Sequence, residues 1–414
     1  MDDPNTNFCG LIERHPRRAV QVTCVRQASE LITACRSVGQ TLNLRGAGHG
    51  SGDRNVGEGT LLINALPSAV ERLSESRYRV SSATTWLELE RTLNEQSRAA
   101  PVLTNWPAVT VGGTLAAGGF GSASIVSGAQ TDWVRAMRVV LPDGSDIRLT
   151  DDDPRFALMC CAQGVHGFVA EAEIETRVCP DWLHWSEWRF KDAETWCAAI
   201  DTLIERLPED AEHLLAQARW RAFGISAATT RRFSVPLAGS LLHLSQQSHS
   251  AWRESLTTRN FATGVVNLWS DYVLPVSTLG QFLLDLFLDL AKEGVEGEAY
   301  PRLRILFLDR DRAPAPTALF APHRVATSRL LAGVGVYFVL RRELGRQIAV
   351  ARDVLARCLS RSGACGGRPY ISGWHEIDRA RMTDFYPDAM VESSKLRNRQ
   401  DPDCLFNPGT MPPI

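Results

Sequence analysis

Leu42-Asn43-Leu44-Arg45-Gly46-Ala47-Gly48-His49-Gly50-Ser51-Gly52 runs from a strand-like stretch into a loop with glycine at every second position and one histidine among them. An anionic cofactor needs exposed N–H groups with no side chain in the way, and glycine permits that approach. A dinucleotide fingerprint of the G-x-G-x-x-G type is excluded. Gly46 and Gly48 fit it, but the third site is Ser51, and Gly52-Asp53-Arg54-Asn55-Val56-Gly57 has no helical periodicity. The loop therefore predicts a phosphate-bearing ligand held by another architecture, with His49 part of the arrangement.

Outward from this loop, the chain up to residue 180 alternates short strands and helices. Strands are expected over 19–25, 41–44, 60–64 and 78–82, and a helix over 27–38 with Leu31, Ile32, Cys35 and Val38 on one face. Thr85-Trp86-Leu87-Glu88 is a capping-box start for a helix whose Trp86, Leu89 and Leu93 share a side. Pro142-Asp143-Gly144 is a hairpin turn, a strand follows over 168–178, and Cys179-Pro180 marks a boundary. Beyond it the texture changes to strands at 184–190, 265–268 and 303–308 and amphipathic helices near 193–206, 277–292 and 341–358. That is the pattern of an antiparallel sheet backed by helices. The expected fold is α+β: a first domain over 1–180, a second over 181–375, and residues 376–414 returning to the first.

A formal net charge of −2 in 414 residues, with no long Lys/Arg run, argues against nucleic acid as a partner. The acidic, polar start Met1-Asp2-Asp3-Pro4 is not a secretory signal, and no apolar run is long enough to span a bilayer. Ten scattered cysteines without a C-x-x-C pair suit small core residues in a cytoplasmic enzyme, not a disulfide framework or a zinc site. No feature of the sequence addresses oligomeric state.

A second glycine-rich stretch, Thr110-Val111-Gly112-Gly113-Thr114-Leu115-Ala116-Ala117-Gly118-Gly119-Phe120-Gly121, lets backbone lie flat against a large planar or phosphorylated ligand. Either loop alone could be a crowded turn; two of them with the tail Asp401-Pro402-Asp403-Cys404-Leu405-Phe406-Asn407-Pro408-Gly409 are harder to explain that way. With Leu103-Thr104-Asn105-Trp106 and Gly164-Val165-His166-Gly167-Phe168-Val169 added, the chain resembles the vanillyl-alcohol-oxidase-type flavoproteins with a PCMH-type FAD-binding domain. Within them it is most similar to cytokinin dehydrogenases and their bacterial relatives. The second domain resembles the family's substrate domain chiefly through Asn267-Leu268-Trp269-Ser270-Asp271-Tyr272.

The resemblance implies FAD with its pyrophosphate on the first loop and its isoalloxazine ring between the domains. Cofactor contacts are expected from Arg45, Gly46, Ala47, Gly48, His49, Gly50, Ser51, Thr110, Gly112, Gly113, Ala116, Phe120, Val169, Asn407 and Thr410. His49 matches the histidine that carries FAD covalently in many members, and a neutral imidazole is a competent nucleophile. A histidine that only hydrogen-bonds the cofactor is the alternative. Ala108 stands where a second, cysteinyl link would be.

Asn105 departs from the family pattern. Cytokinin dehydrogenases carry an aspartate there as base, and an asparagine cannot take a proton. Asp271 is the replacement base expected in its stead, a strand-end or solvated aspartate being the alternative, with Trp269 lining the substrate cavity; Tyr272, Tyr337 and Tyr370 are further phenol candidates for facing the ring. The reaction implied is removal of hydride from a C–H next to nitrogen or oxygen of a small, largely apolar molecule, with oxygen or another electron acceptor regenerating the cofactor. A non-redox cyclase or isomerase with structural FAD is the alternative that Asn105 keeps open.

Overall fold

The computed structural model describes residues 3–206, 210–231, 237, 240–249, 251 and 264–409. The glycine loop leaves the end of Leu42–Arg45, an outer strand of a three-stranded parallel sheet whose centre is Thr60–Asn64 and whose other edge is Arg18–Val22. The helix Val25–Ser37 makes the crossover that a parallel connection requires. It buries Ala28, Leu31, Ile32 and Cys35, spaced three and four residues apart, against Leu42, Leu62, Val140 and Phe168.

Beside this sheet lies an antiparallel one of five strands, in the order Val70–Arg72, Arg77–Ser81, Phe168–Glu175, Val134–Val140, Asp146–Thr150. The helix Trp86–Asn94 opens with the capping box read from Thr85 and Glu88. Its Trp86 Nε1 donates to Thr114 Oγ1 at 2.5 Å, which fixes it against the short helix Val111–Ala117. The second glycine stretch is thus half helix and half turn, since Gly118 and Gly119 leave helical space at φ +126° and +71°.

The second domain is one antiparallel sheet of eight strands, in the order Ser240–Ser248, Trp182–Phe190, Ala222–Thr229, Ala211–Arg219, Arg302–Asp309, Leu330–Arg341, Val265–Pro275, Arg368–Tyr370. Alternation along Val265–Pro275 sets its two faces: Leu268, Ser270, Tyr272 and Leu274 are buried, while Trp269 and Asp271 are half-buried on the opposite side. Tyr272 donates its hydroxyl to Leu355 O at 2.8 Å, so the even positions face the helix Gly345–Ala364. The helix Leu279–Lys292 packs on that same helix, leaving the odd-numbered face open toward the first domain.

Several element boundaries differ from the sequence expectation. The strand expected over 19–25 ends at Val22, because Val25 already opens the helix, and Val38, expected on the buried face of that helix, lies past its end at the C-cap and is exposed. The strand expected at 265–268 continues to Pro275, because the polar Ser270 and Asp271 have places on the two faces and do not end it. The helix expected from 341 begins at Gly345, because Leu330–Arg341 is a strand of 12 residues and residues 342–344 form the turn that leaves it.

The tail returns to the first domain. Leu42 N donates to Leu405 O and Asn407 N to Leu42 O, both at 2.8 Å, which lays residues 405–407 along the strand that delivers the glycine loop. Asn407 Oδ1 accepts from Leu44 N at 2.9 Å and its Nδ2 donates to Gln163 O at 2.7 Å.

Candidate active site between the glycine loops and the sheet

A cavity of about 1180 Å³ runs from the glycine loops of the first domain to the open face of the eight-stranded sheet. Its first-domain wall includes Arg45 through Gly50, Thr104 to Trp106, Thr110, Gly112, Gly113, Ala116, Phe120, Val169 and Asn407. Ser51 stands apart from them. It is fully buried behind the loop, where its carbonyl accepts from Asn7 Nδ2 at 2.6 Å and Cys9 Sγ at 3.3 Å, and it does not line the cavity. Thr410 lies outside the described residues.

The loop geometry fits an extended anionic ligand. Gly48 adopts φ +82°, and a Cβ there would stand 2.8 Å from Arg45 Nη2. A Cβ on Gly46 would stand 2.5 Å from Thr110 Oγ1, so the two glycine stretches touch only because no side chain intervenes. Ala47, Gly48 and Gly50 donate their N–H groups to no backbone carbonyl among the described residues. These unspent donors beside a long cavity are what a dinucleotide's phosphates require. Arg45 is buried and holds the loop from behind, donating to Asn55 O and Asp3 O at 3.1 Å each.

His49 lines the cavity near two aromatic rings, with centroids 5.1 Å from Phe8 and 6.1 Å from Trp106. Phe8 is positioned by its own N–H, which donates to Gly50 O at 3.2 Å. Arg54 also lines the cavity. It donates to Gln163 Oε1 and, at 3.2 Å, to Ile371 O, and burial lowers its pKa to about 10.

At the other end of the cavity, Asp271 and Trp269 project from Val265–Pro275. Tyr337, on the neighbouring strand opposite Trp269, stacks on that indole at 6.0 Å and 16° and donates its hydroxyl to Asp271 Oδ1 at 3.0 Å. Gly335 faces Asp271 across the same strand pair, and any Cβ there would overlap both Asp271 Oδ1 and the Tyr337 ring. Desolvation raises the Asp271 carboxyl to about 7, and the Tyr337 hydrogen bond offsets only part of that. A carboxylate poised near neutrality and facing a cavity is suited to take a proton.

Asn105, Trp269 and Asp271 therefore line one cavity with the glycine loops. Of the three phenols, Tyr272 is turned away into the helical layer, while Tyr337 and Tyr370 line the cavity. Tyr370 accepts from Gly119 N at 3.0 Å, which couples the last strand of the sheet to the second glycine stretch. His166 is buried, 2.9 Å from Ser393 Oγ, with its pKa lowered to about 3 by burial, so it is a neutral structural ring. Phe8, Arg54, Gln163 and Gly335 carry no sequence motif; only the fold brings them to the site.

Residues 16–150 match a family model described as an FAD-binding domain. An uncharacterized oxidoreductase, ORF5 of the fasciation locus of Rhodococcoides fascians, is 29% identical over 147 residues, 35% of this chain and 33% of that protein. The alditol oxidase of a Streptomyces species is 28% identical over 120 residues, 28% of this chain and 29% of that one. The matches thus span about a third of each relative's length. Among solved structures, the xylooligosaccharide oxidase of Myceliophthora thermophila C1 in complex with xylobiose superposes with a TM-score of 0.81 at 15% identity, over 99% of this chain and 94% of that one. FgChi7B gives 0.79 at 15% identity, again over 99% and 94%. These two similarities concern the fold.

Proposed function

We propose that this chain, which belongs to the vanillyl-alcohol-oxidase/PCMH-type FAD family, is an oxidoreductase that removes hydride from a C–H next to oxygen or nitrogen of a small molecule whose body is largely apolar. FAD supplies a two-electron acceptor that O2 or another electron acceptor regenerates. The observation that carries the reading is the Asp271–Tyr337 pair, set in the same cavity as the glycine loops and held near neutrality.

Residue by residue, Asp271 takes the proton from the substrate O–H or N–H as the adjacent C–H bond breaks with its electron pair. Tyr337 holds one carboxylate oxygen and leaves the other for the substrate. Trp269 stacks on Tyr337 and forms the flat wall beside it. Asn105, which cannot take a proton, orients the reacting group through its amide. With Asp271 able to serve as base, Asn105 no longer argues for a reaction without electron transfer.

His49 is the proposed covalent anchor. The Phe8 and Trp106 rings lie against it, with centroids 5.1 and 6.1 Å away. Acid precipitation tests this link: yellow colour should stay with the pellet of the wild-type protein and leave with the supernatant of His49→Ala. Colour lost from the wild-type pellet refutes the tether. The reaction is tested by anaerobic mixing with candidate alcohols and amines. Loss of the flavin's visible absorbance is expected, and product formed with an unchanged spectrum would overturn the redox reading.

A further inference from the structure

The cavity wall carries seven arginines, Arg45, Arg54, Arg189, Arg219, Arg221, Arg302 and Arg304, against two carboxylates, Glu187 and Asp271, in a chain whose net charge is −2. Arg45 and Arg54 belong to the cofactor end. The other five lie on or beside the open face of the eight-stranded sheet.

The sheet register arranges them. Arg189 faces Gly224, Gly224 faces Gln217, Gln217 faces Arg304, Arg304 faces Gly335, and Gly335 faces Asp271. A single row across the sheet thus joins Arg304 to the proposed base, with only a glycine between them. Arg302 faces Tyr337 in the next row, and Arg219 follows Ala218, whose partner is Leu303. Continued by one position, that register sets Arg219 opposite Arg302, two like charges on adjacent strands at the exposed side of the cavity.

Their surroundings do not neutralise them. The side chains of Arg189, Arg219, Arg302 and Arg304 form no hydrogen bond or ion pair among the described residues; the first three are exposed and Arg304 is half-buried. Arginines on the outer sheet of the first domain behave differently: Arg138 pairs with Asp146 and Glu171, and Arg148 with Glu173. The carboxylate nearest this face in sequence, Glu187, already accepts from Trp185 Nε1 at 2.8 Å.

We infer that the substrate is an anion whose carboxylate or phosphate group is held by the Arg304 guanidinium, with Arg302, Arg219 and Arg189 drawing it in from the mouth. The inference rests on the oxidoreductase reading only for the place of the reacting carbon, at Asp271. Two strand spacings of about 4.8 Å separate the Arg304 and Asp271 backbones, so the anion lies on the order of 5–10 Å from the oxidised carbon. The lane over Gly335 gives the intervening chain its path. Leu306, Leu308, Leu331 and Val273 line the cavity beside that lane, which suits an apolar spacer. A guanidinium fork binds either anion through two parallel hydrogen bonds.

The test uses the flavin-loaded full chain and three ligands of matched length: 6-hydroxyhexanoate, 6-hydroxyhexyl phosphate and 1-hexanol. Calorimetric titration without turnover should show at least one of the two anions binding roughly 10–100-fold more tightly than 1-hexanol, as charge-assisted hydrogen bonds predict. Which anion has the advantage identifies the group as carboxylate or phosphate. The advantage should shrink with added salt, vanish in Arg304→Met and survive in part in Arg304→Lys, with 1-hexanol affinity the same in all three. Equal affinity of all three ligands for the wild type overturns the inference. So does an anion advantage that persists in Arg304→Met. Because binding is read apart from turnover, tight anion binding with no bleaching by any alcohol would refute the oxidoreductase reading and leave the anion site standing.

Discussion

Replacing Asp271 by asparagine separates what this residue does for the reaction from what it costs the fold. The amide keeps an oxygen in the place where Tyr337 donates its hydroxyl, so the local geometry is preserved while the ionisable group is removed. The folded carboxyl is raised by desolvation to about 7 from an ordinary 3.8. Below the unfolded value both states are protonated and the group imposes no penalty. As pH rises through the folded value the penalty becomes complete, because the unfolded chain ionises freely and the folded one resists. The difference between the folded and ordinary values corresponds to at most about 4 kcal/mol, and cavity water reduces it. Asp271→Asn should therefore melt at a higher temperature than the wild type at pH 8 and at nearly the same temperature at pH 4, by roughly 1–2 °C per kcal/mol in a chain of this size. In the same protein, kcat/KM should fall roughly 10²–10⁴-fold, and the rise of activity with pH around 7 should disappear. Calorimetric scans at the two pH values and a pH–rate profile check both halves. A variant that is no more stable than wild type at pH 8, or that keeps the limb near pH 7, would refute the reasoning.

Tyr337→Phe removes the one hydrogen bond that lowers the Asp271 pKa, so the rising limb of the pH–rate profile should move to higher pH while flavin binding, read by absorbance, is unchanged. Gly335→Ala places a methyl group against both Asp271 and Tyr337; displacing them should cost about 1–3 kcal/mol in denaturant unfolding and lower kcat more than it raises KM. Asn407→Ala cuts the two side-chain bonds to Leu44 N and Gln163 O, and with their partners left buried the loss should be about 1–3 kcal/mol, measured by thermal unfolding, with weaker FAD retention on dialysis.

The parts of the site that were legible in sequence are those whose signals are local. Alternating glycines at 46, 48 and 50 announce a backbone cradle because conformational freedom is a property of single residues. The Thr85–Glu88 capping box and the Pro142-Asp143-Gly144 turn are fixed within four residues each. Asp271 was named as a base through a motif, but its environment was not visible. Its raised pKa and its bond to Tyr337 depend on a strand pairing between positions 66 apart. The arginine row is further from reach, since it crosses six strands whose spatial order is unrelated to their order in the chain. The 330–341 strand is absent from the sequence reading for a related reason. Its start at Leu330-Leu331-Ala332 is apolar without alternation, so the period that distinguishes a strand from a helix emerges only once one face is covered.

The return of Asn407 to Leu44 spans 363 positions and closes the strand from which the glycine loop springs. A ribosome releases that strand long before it makes the residue that locks it. The residues of the eight-stranded sheet are all synthesised between that strand and the segment that closes its edge. Contacts of such separation are slow to form, because loop closure is opposed by chain entropy until the intervening domain has become compact. Closure of the strand edge beside the glycine loop therefore depends on residues 405–407, more than 350 positions downstream, and the cradle is complete only once they are in place.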